Sequence, residues 1–194
     1  MSISILPRTI HGNFQLPWIT LGLVSLAVLI NLIVGAAPER LVYFTSNPFA
    51  EWYRMFTGHW VHSDVEHATI NLGALLILGI MFEPVLKKKL LSVLLLSSFA
   101  VSVLTGLFVP EIKAYCGLSG ILNSLLVFGC LTLWQQYQQK VYLIFIVLAG
   151  AKTLLEVYSQ QAIFTHTNWP AVPEAHLIGM LTGAIQFHLN FKNK

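Results

Sequence analysis

Charge is what this sequence has least of. Asp, Glu, Lys and Arg make up 10% of it, against 56% hydrophobic residues. Soluble domains carry about 25% charged residues, so a water-facing globular surface is excluded. Eleven Lys and Arg face eight Asp and Glu, and no basic run is longer than Lys87-Lys88-Lys89, so nucleic acid is not an expected partner. Two cysteines, Cys116 and Cys130, cannot build a disulfide framework and match no metal spacing. The zinc-protease pattern H-E-x-x-H is missing, as are internal repeats and low-complexity tracts. What remains is a chain for lipid, with a mean hydropathy of +0.71, whose 194 residues fit one domain, 1–194.

Six apolar runs follow one another: 16–37, 66–86, 90–109, 119–134, 141–158 and 174–191. The first is near the 20 residues that a bilayer crossing needs. A cleaved signal peptide is its rival reading, through Gly35-Ala36-Ala37; Pro38 and the later spans favour a retained helix. Residues 38–65 mix Tyr43, Phe44, Trp52, Tyr53, Phe56 and Trp60 with Glu39, Glu51, Arg54 and Asp64, the composition of a loop at the membrane–water interface. The fourth run, of about 16 residues, is too short to cross alone at 1.5 Å per residue. A helix starting part-way down, at a re-entrant loop or cavity, accounts for it. The expected fold is therefore an all-α membrane protein, a bundle of six transmembrane helices with a short fourth helix. Six spans put Arg8, Lys87, Lys88, Lys89, Lys140, Lys192 and Lys194 on one side, against Arg40, Arg54 and Lys113 on the other. The positive-inside rule then places both termini in the cytoplasm.

The short fourth run opens with Gly117-Leu118-Ser119-Gly120. Glycine permits a sharp turn and leaves the hydroxyl open, and the helix start offers unpaired N–H groups to an oxyanion. The plainer reading is a small-residue helix start used for packing. A base is available in His176, which shares a helical stripe with Gly179 and Gly183. Those two glycines have the G-x-x-x-G spacing that lets membrane helices approach closely. Ser119, Gly120, Asn123, Ser124 and Val127 give the fourth helix a matching small face. The second span opens with His62, His67 and Asn71; the last two lie i, i+4 on one face, and both can donate hydrogen bonds. Serine hydrolysis needs such a nucleophile, base and set of donors. Two other readings stay open: a metal-dependent membrane enzyme using His59, His62, His67 and His176, and a structural polar cluster. The metal reading leaves Ser119 and Asn71 without a role.

These residues resemble a family. His62-x4-His67-x3-Asn71, Gly117-Leu118-Ser119-Gly120 and Ala175-His176-x2-Gly179 are similar, in order and in the helices that carry them, to the three motifs of the rhomboid intramembrane serine proteases. The likeness covers about residues 50 to 185. It implies a Ser119 nucleophile and a His176 base, a dyad with no acidic third member and no cofactor. It also implies an oxyanion hole from His67, Asn71 and the Ser119 N–H. The implied substrate is a membrane-anchored protein cut within the lipid bilayer near its outer face. Arg54 resembles the arginine of the family's first-loop signature, with Tyr53 where a tryptophan usually precedes it. Asn123 stands where a tyrosine commonly packs on the catalytic histidine. Thr57-Gly58-His59 before His62, and Lys152 with Glu156 in the fifth span, look most like the rhombosortase branch. That branch implies a bacterial inner membrane and substrates bearing Gly-Gly-containing C-terminal anchors. A rhomboid-like binding or escort protein without catalysis is the rival from another class, and the presence of both Ser119 and His176 argues against it. Lys152 and Glu156, at i, i+4, are expected to pair toward the bundle and to fix the fifth helix rather than do chemistry.

Overall fold

The computed structural model describes residues 15–35, 39–45, 51–109, 111–163, 169 and 172–192. Six long helices carry the fold: α1 (Trp18–Val34), α3 (Val65–Leu86), α4 (Lys89–Phe108), α5 (Ser119–Tyr137), α6 (Val141–Ser159) and α7 (Pro173–Lys192). A short helix, α2 (Arg54–Thr57), runs into a 3-10 turn at Gly58–Trp60. Two short strands, β1 (Tyr43–Phe44) and β2 (Ala114–Tyr115), pair antiparallel, with Tyr43 opposite Tyr115. Among the described residues, α3, α4 and α6 are each long and apolar enough to cross a membrane, and α1 is a shorter apolar helix.

The central element is α5, and its sequence says why. Its buried residues, including Gly120, Ile121, Leu125, Val127, Phe128, Cys130 and Leu133, lie on every side of the helix. A helix apolar all round belongs inside a bundle. It touches α3, α4, α6 and α7, most extensively α7. It is also longer than the 119–134 run suggests. Gln135, Gln136 and Tyr137 continue it, since glutamine is a good helix former. It stops where Gln138 turns left-handed at φ 55° and its N–H bonds the Trp134 carbonyl at 2.7 Å. Nineteen residues at 1.5 Å each span roughly 28 Å, so the fourth helix is not a short one.

Several polar groups inside this apolar bundle are paired across helices. Glu83 near the end of α3 accepts from the Ile19 and Thr20 N–H groups and from the Thr20 hydroxyl, at 2.9, 2.8 and 2.7 Å. A carboxylate at a helix N-terminus satisfies orphan donors and opposes the positive dipole end. Deeper in the bundle, Gln186 of α7 donates to Ser97 of α4 at 2.9 Å, and Ser97 donates to Ser124 of α5 at 2.7 Å. Such bonds hold membrane helices together where the hydrophobic effect cannot.

The α5–α7 crossing depends on two glycines. A Cβ on Gly179 would lie 2.0 Å from the Gly120 carbonyl oxygen, and one on Gly183 would lie 2.3 Å from that of Ser124. Both obstacles are backbone and cannot swing away. Gly183→Ala should therefore push α7 off α5, at a cost of about 1–3 kcal/mol, read as a lower unfolding midpoint in detergent. Gly73, on a face with nothing within 4 Å, is the control, and Gly73→Ala should be neutral or slightly stabilising. Equal tolerance at the two positions would mean that the helices do not cross this closely.

Candidate active site

The strand pair sets the backbone that leads into α5. Gly58 sits under Tyr43, where a Cβ would come within 3.0 Å, and its carbonyl accepts the Gly117 N–H at 3.0 Å. Gly117 then turns at φ 106°, a conformation that L side chains rarely adopt. A Cβ there would also meet the His67 ring at 2.7 Å. Glycine is thus required twice at this one position. Beneath the turn the His59 ring packs edge-on against Tyr115, centroids 5.4 Å apart. His59 Nε2 donates to the Ser98 carbonyl at 3.0 Å. Arg54 ties the first loop together by donating to the Glu39 and Val42 carbonyls and pairing with Glu51 at 2.8 Å.

Just beyond the turn, Ser119, His176, His67, Asn71 and Asn123 all line one cavity of about 260 Å³. Tyr115, Cys116, Lys152, Glu156 and Trp169 share its wall. The structure thus gathers Ser119, His176, His67 and Asn71 around a single space. Gly117, Gly120 and Gly179 shape the backbone around it, as above. His62 lies behind the wall. Its ring packs on His67 at 5.0 Å, and its Nδ1 faces Asn31 Oδ1 at 3.2 Å. Among the described residues no group of three or more His, Cys, Asp or Glu is placed to hold a metal ion. The four histidines go separate ways: His59 to α4, His62 to Asn31, His67 to Ser63, His176 to Glu156.

As the first residue of α5, Ser119 has a backbone N–H without an intrahelical partner. Asn71 Nδ2 donates to the His67 carbonyl at 3.1 Å, which uses one of its two hydrogens and leaves the other. His67 is held by α3's cap. Asp64 Oδ1 accepts the His67 N–H, and Asp64 Oδ2 accepts the Ser63 hydroxyl, both at 2.8 Å. With that hydrogen spent, Ser63 Oγ accepts from His67 Nδ1 at 3.1 Å. The neutral ring then presents a bare Nε2 at Gly117, and becomes a second donor there on protonation.

Asn123 donates to the Ser119 carbonyl at 2.9 Å, one turn back on its own helix. The partner of His176 is on α6: Nδ1 donates to Glu156 Oε2 at 3.0 Å. Glu156 also pairs with Lys152 at 2.6 Å, so the expected ion pair is present and has a third member. Tyr115 gives no signal in the sequence, yet its hydroxyl accepts the Gly120 N–H at 3.3 Å and hydrogen-bonds the Ser119 side chain. Burial pushes that phenol up to about 12, against the hydrogen bonds from Gly120 and Ser119. Cys116 is no competing nucleophile, because burial raises its thiol to about 12, and the thiolate is the reactive form.

His62 and His59 lie outside the long helices, and both are held neutral. Burial, reinforced by His67 and opposed by Asp64, lowers His62 to about 3. Burial lowers His59 to about 4, against its hydrogen bond to Ser98. Below the ordinary histidine value of about 6.5 the unfolded chain takes up protons that the folded one refuses. Stability from both groups is therefore complete above that value and is lost as pH falls toward 3–4. The loss is at most about 1.4 kcal/mol per pH unit for each. Unfolding midpoints in detergent should be flat above pH 7 and fall below pH 6, more gently in His62→Asn. A wild-type midpoint unchanged down to pH 4 would show that these rings are not buried neutral.

A family model described as Rhomboid domain matches residues 50–192, which takes in α2 through α7. No curated protein matches the chain.

Proposed function

The chain belongs to the rhomboid family of intramembrane serine proteases, and from that premise we propose that it is itself an active intramembrane serine endopeptidase. Ser119 is the nucleophile and His176 the general base. The observation that carries this reading is the shared cavity, to which Ser119, His176 and Asn71 arrive from three different helices. A non-catalytic escort protein has no need of that convergence, and a metal enzyme would leave Ser119 idle. On attack, His176 takes the Ser119 proton and later returns it to the leaving amine. The oxyanion forms against the Ser119 N–H and the spare hydrogen of Asn71, with His67 adding a donor when protonated. Ala162, Ile163, Trp169 and Val172, from the segment after α6, border the cavity and fit a cap that admits water and substrate.

The finer assignments rest on the sequence resemblance and the charge pattern. The long helices are six membrane spans, α1 and α3 to α7. Both termini are cytoplasmic, in a bacterial inner membrane, and the cavity opens to the outer side. The substrate is a membrane-anchored protein, and the rhombosortase likeness favours Gly-Gly-containing C-terminal anchors.

Ser119→Ala and His176→Ala should each abolish cleavage of a reconstituted substrate, and the double variant should be no worse than either, because the pair acts as a unit. Residual turnover above about one per cent in Ser119→Ala would end the serine mechanism, since loss of a nucleophile costs orders of magnitude. Topology has its own test. A cysteine beside Lys88 should resist an impermeant thiol reagent applied outside intact cells. One at Trp52, which is 64% exposed, should react; the reverse pattern would invert the protein.

A further inference from the structure

The dyad implied by family resemblance has no acidic member, yet the most polar feature of this cavity is a carboxylate. Glu156 is 1% exposed, one turn from the end of α6, and three donors from three places converge on it. Lys152 Nζ, one turn back on α6, is 2.6 Å from Oε1. The Ile163 N–H, from the segment after α6, reaches the same oxygen at 2.8 Å. His176 Nδ1, from α7, reaches Oε2 at 3.0 Å. A buried carboxylate meeting an ammonium and a backbone N–H is held as the anion, which can only accept. The His176 proton is therefore on Nδ1, and Nε2 carries the lone pair.

We infer that Glu156 is the positioning residue of a Ser119–His176–Glu156 triad, acting through His176 on the reaction proposed above. It fixes the imidazole ring in the tautomer whose Nε2 can take the serine proton, and it faces the imidazolium that forms during attack. This is work that Asn123 cannot do, since its amide is turned to the Ser119 carbonyl. Lys152 holds the carboxylate ionised and on rotamer, and the Ile163 N–H ties the cavity's border segment to the same group. A purely structural Lys152–Glu156 pair would need neither the His176 contact nor the Ile163 contact.

The inference rests on the protease reading, and the test separates the two. Full-length protein in detergent is assayed for cleavage, for the rate at which a fluorophosphonate labels Ser119, and for unfolding midpoint. Glu156→Gln, which offers an amide in place of the anion, should lower kcat and the labelling rate by roughly 10²–10⁴-fold, with KM little changed. Glu156→Asp should recover part of that loss. In Lys152→Met with Glu156→Gln the buried charge imbalance is removed, so the midpoint should partly recover while kcat stays low. A merely structural pair would recover both, and that result overturns the inference. So does Glu156→Gln turning over at more than half the wild-type rate while Ser119→Ala is dead, an outcome that leaves the protease reading intact. Active Ser119→Ala would instead sink the protease reading itself. Should Glu156→Gln fail to fold, the wild type still decides. Nitrogen-15 histidine spectra, assigned with His176→Asn, should show His176 protonated on Nδ1 at neutral pH, and protonation on Nε2 alone refutes the role.

Discussion

The backbone contact between α5 and α7 governs everything at the cavity. At Gly179 and Gly183 the α7 backbone lies directly on the Gly120 and Ser124 carbonyls, closer than any side chain allows. Ser119 starts α5 and His176 sits in the first turn of α7. The crossing therefore sets how far apart a nucleophile and a base can be. Side chains at those two positions would push the helices apart, because the atoms in the way are backbone. The same closeness explains the composition of α5. A helix in contact with four others keeps small residues where backbones meet and large apolar ones elsewhere, with no solvent face to carry charge.

Burying Glu156 in such a bundle is costly, and the surroundings show how the cost is offset. A charge at the centre of a membrane helix costs about 2.5–3.5 kcal/mol on insertion scales. Glu156 is one turn from the end of α6, where the cost is smaller, yet at 1% exposed it still needs partners. Lys152 supplies an opposite charge from the same helix, although lysine before glutamate is the less favourable order for the helix dipole. The Ile163 N–H and His176 supply the rest. Removing any one donor leaves a buried anion short of a partner. That is why the carboxylate must be read with α7 and the segment after α6, as well as with its own helix.

The apolar runs carried much of the architecture. They begin and end within a few residues of the helices, because lipid-facing and core-facing residues are both apolar; the first run, 16–37, overshoots α1, which starts after Pro17 and stops before Gly35. The gathering of Ser119, His67, Asn71 and His176 was also legible, through the glycines flanking Ser119 and those following His176. Three features were not. The extra turn of α5 was hidden because Gln135 and Gln136 look like loop by polarity, though glutamine is a sound helix former. Tyr115 was hidden because an aromatic four residues before a serine has no periodic signature; only the strand pairing aims its hydroxyl at the α5 start. Glu156 was visible, but a local i, i+4 partner in Lys152 already accounted for it. Nothing in sequence spacing reports a contact to α7, twenty residues on.

Two groups compete for the hydrogen of the nucleophile, one on each side of it. On one side the Tyr115 hydroxyl accepts the Gly120 N–H, and Ser119 is its side-chain partner; both bonds oppose the rise that burial gives the phenol, so both point toward the Tyr115 oxygen. On the other side the anion of Glu156 takes the Nδ1 hydrogen of His176, which leaves Nε2 as an acceptor. Ser119 and His176 line the same cavity. A neutral phenol is a weak acceptor, and an imidazole backed by an anion is a strong one. Attack therefore moves the serine hydrogen from the Tyr115 side to the His176 side, and the carboxylate decides the direction. Protonating Glu156 would remove that bias, and its three donors oppose protonation.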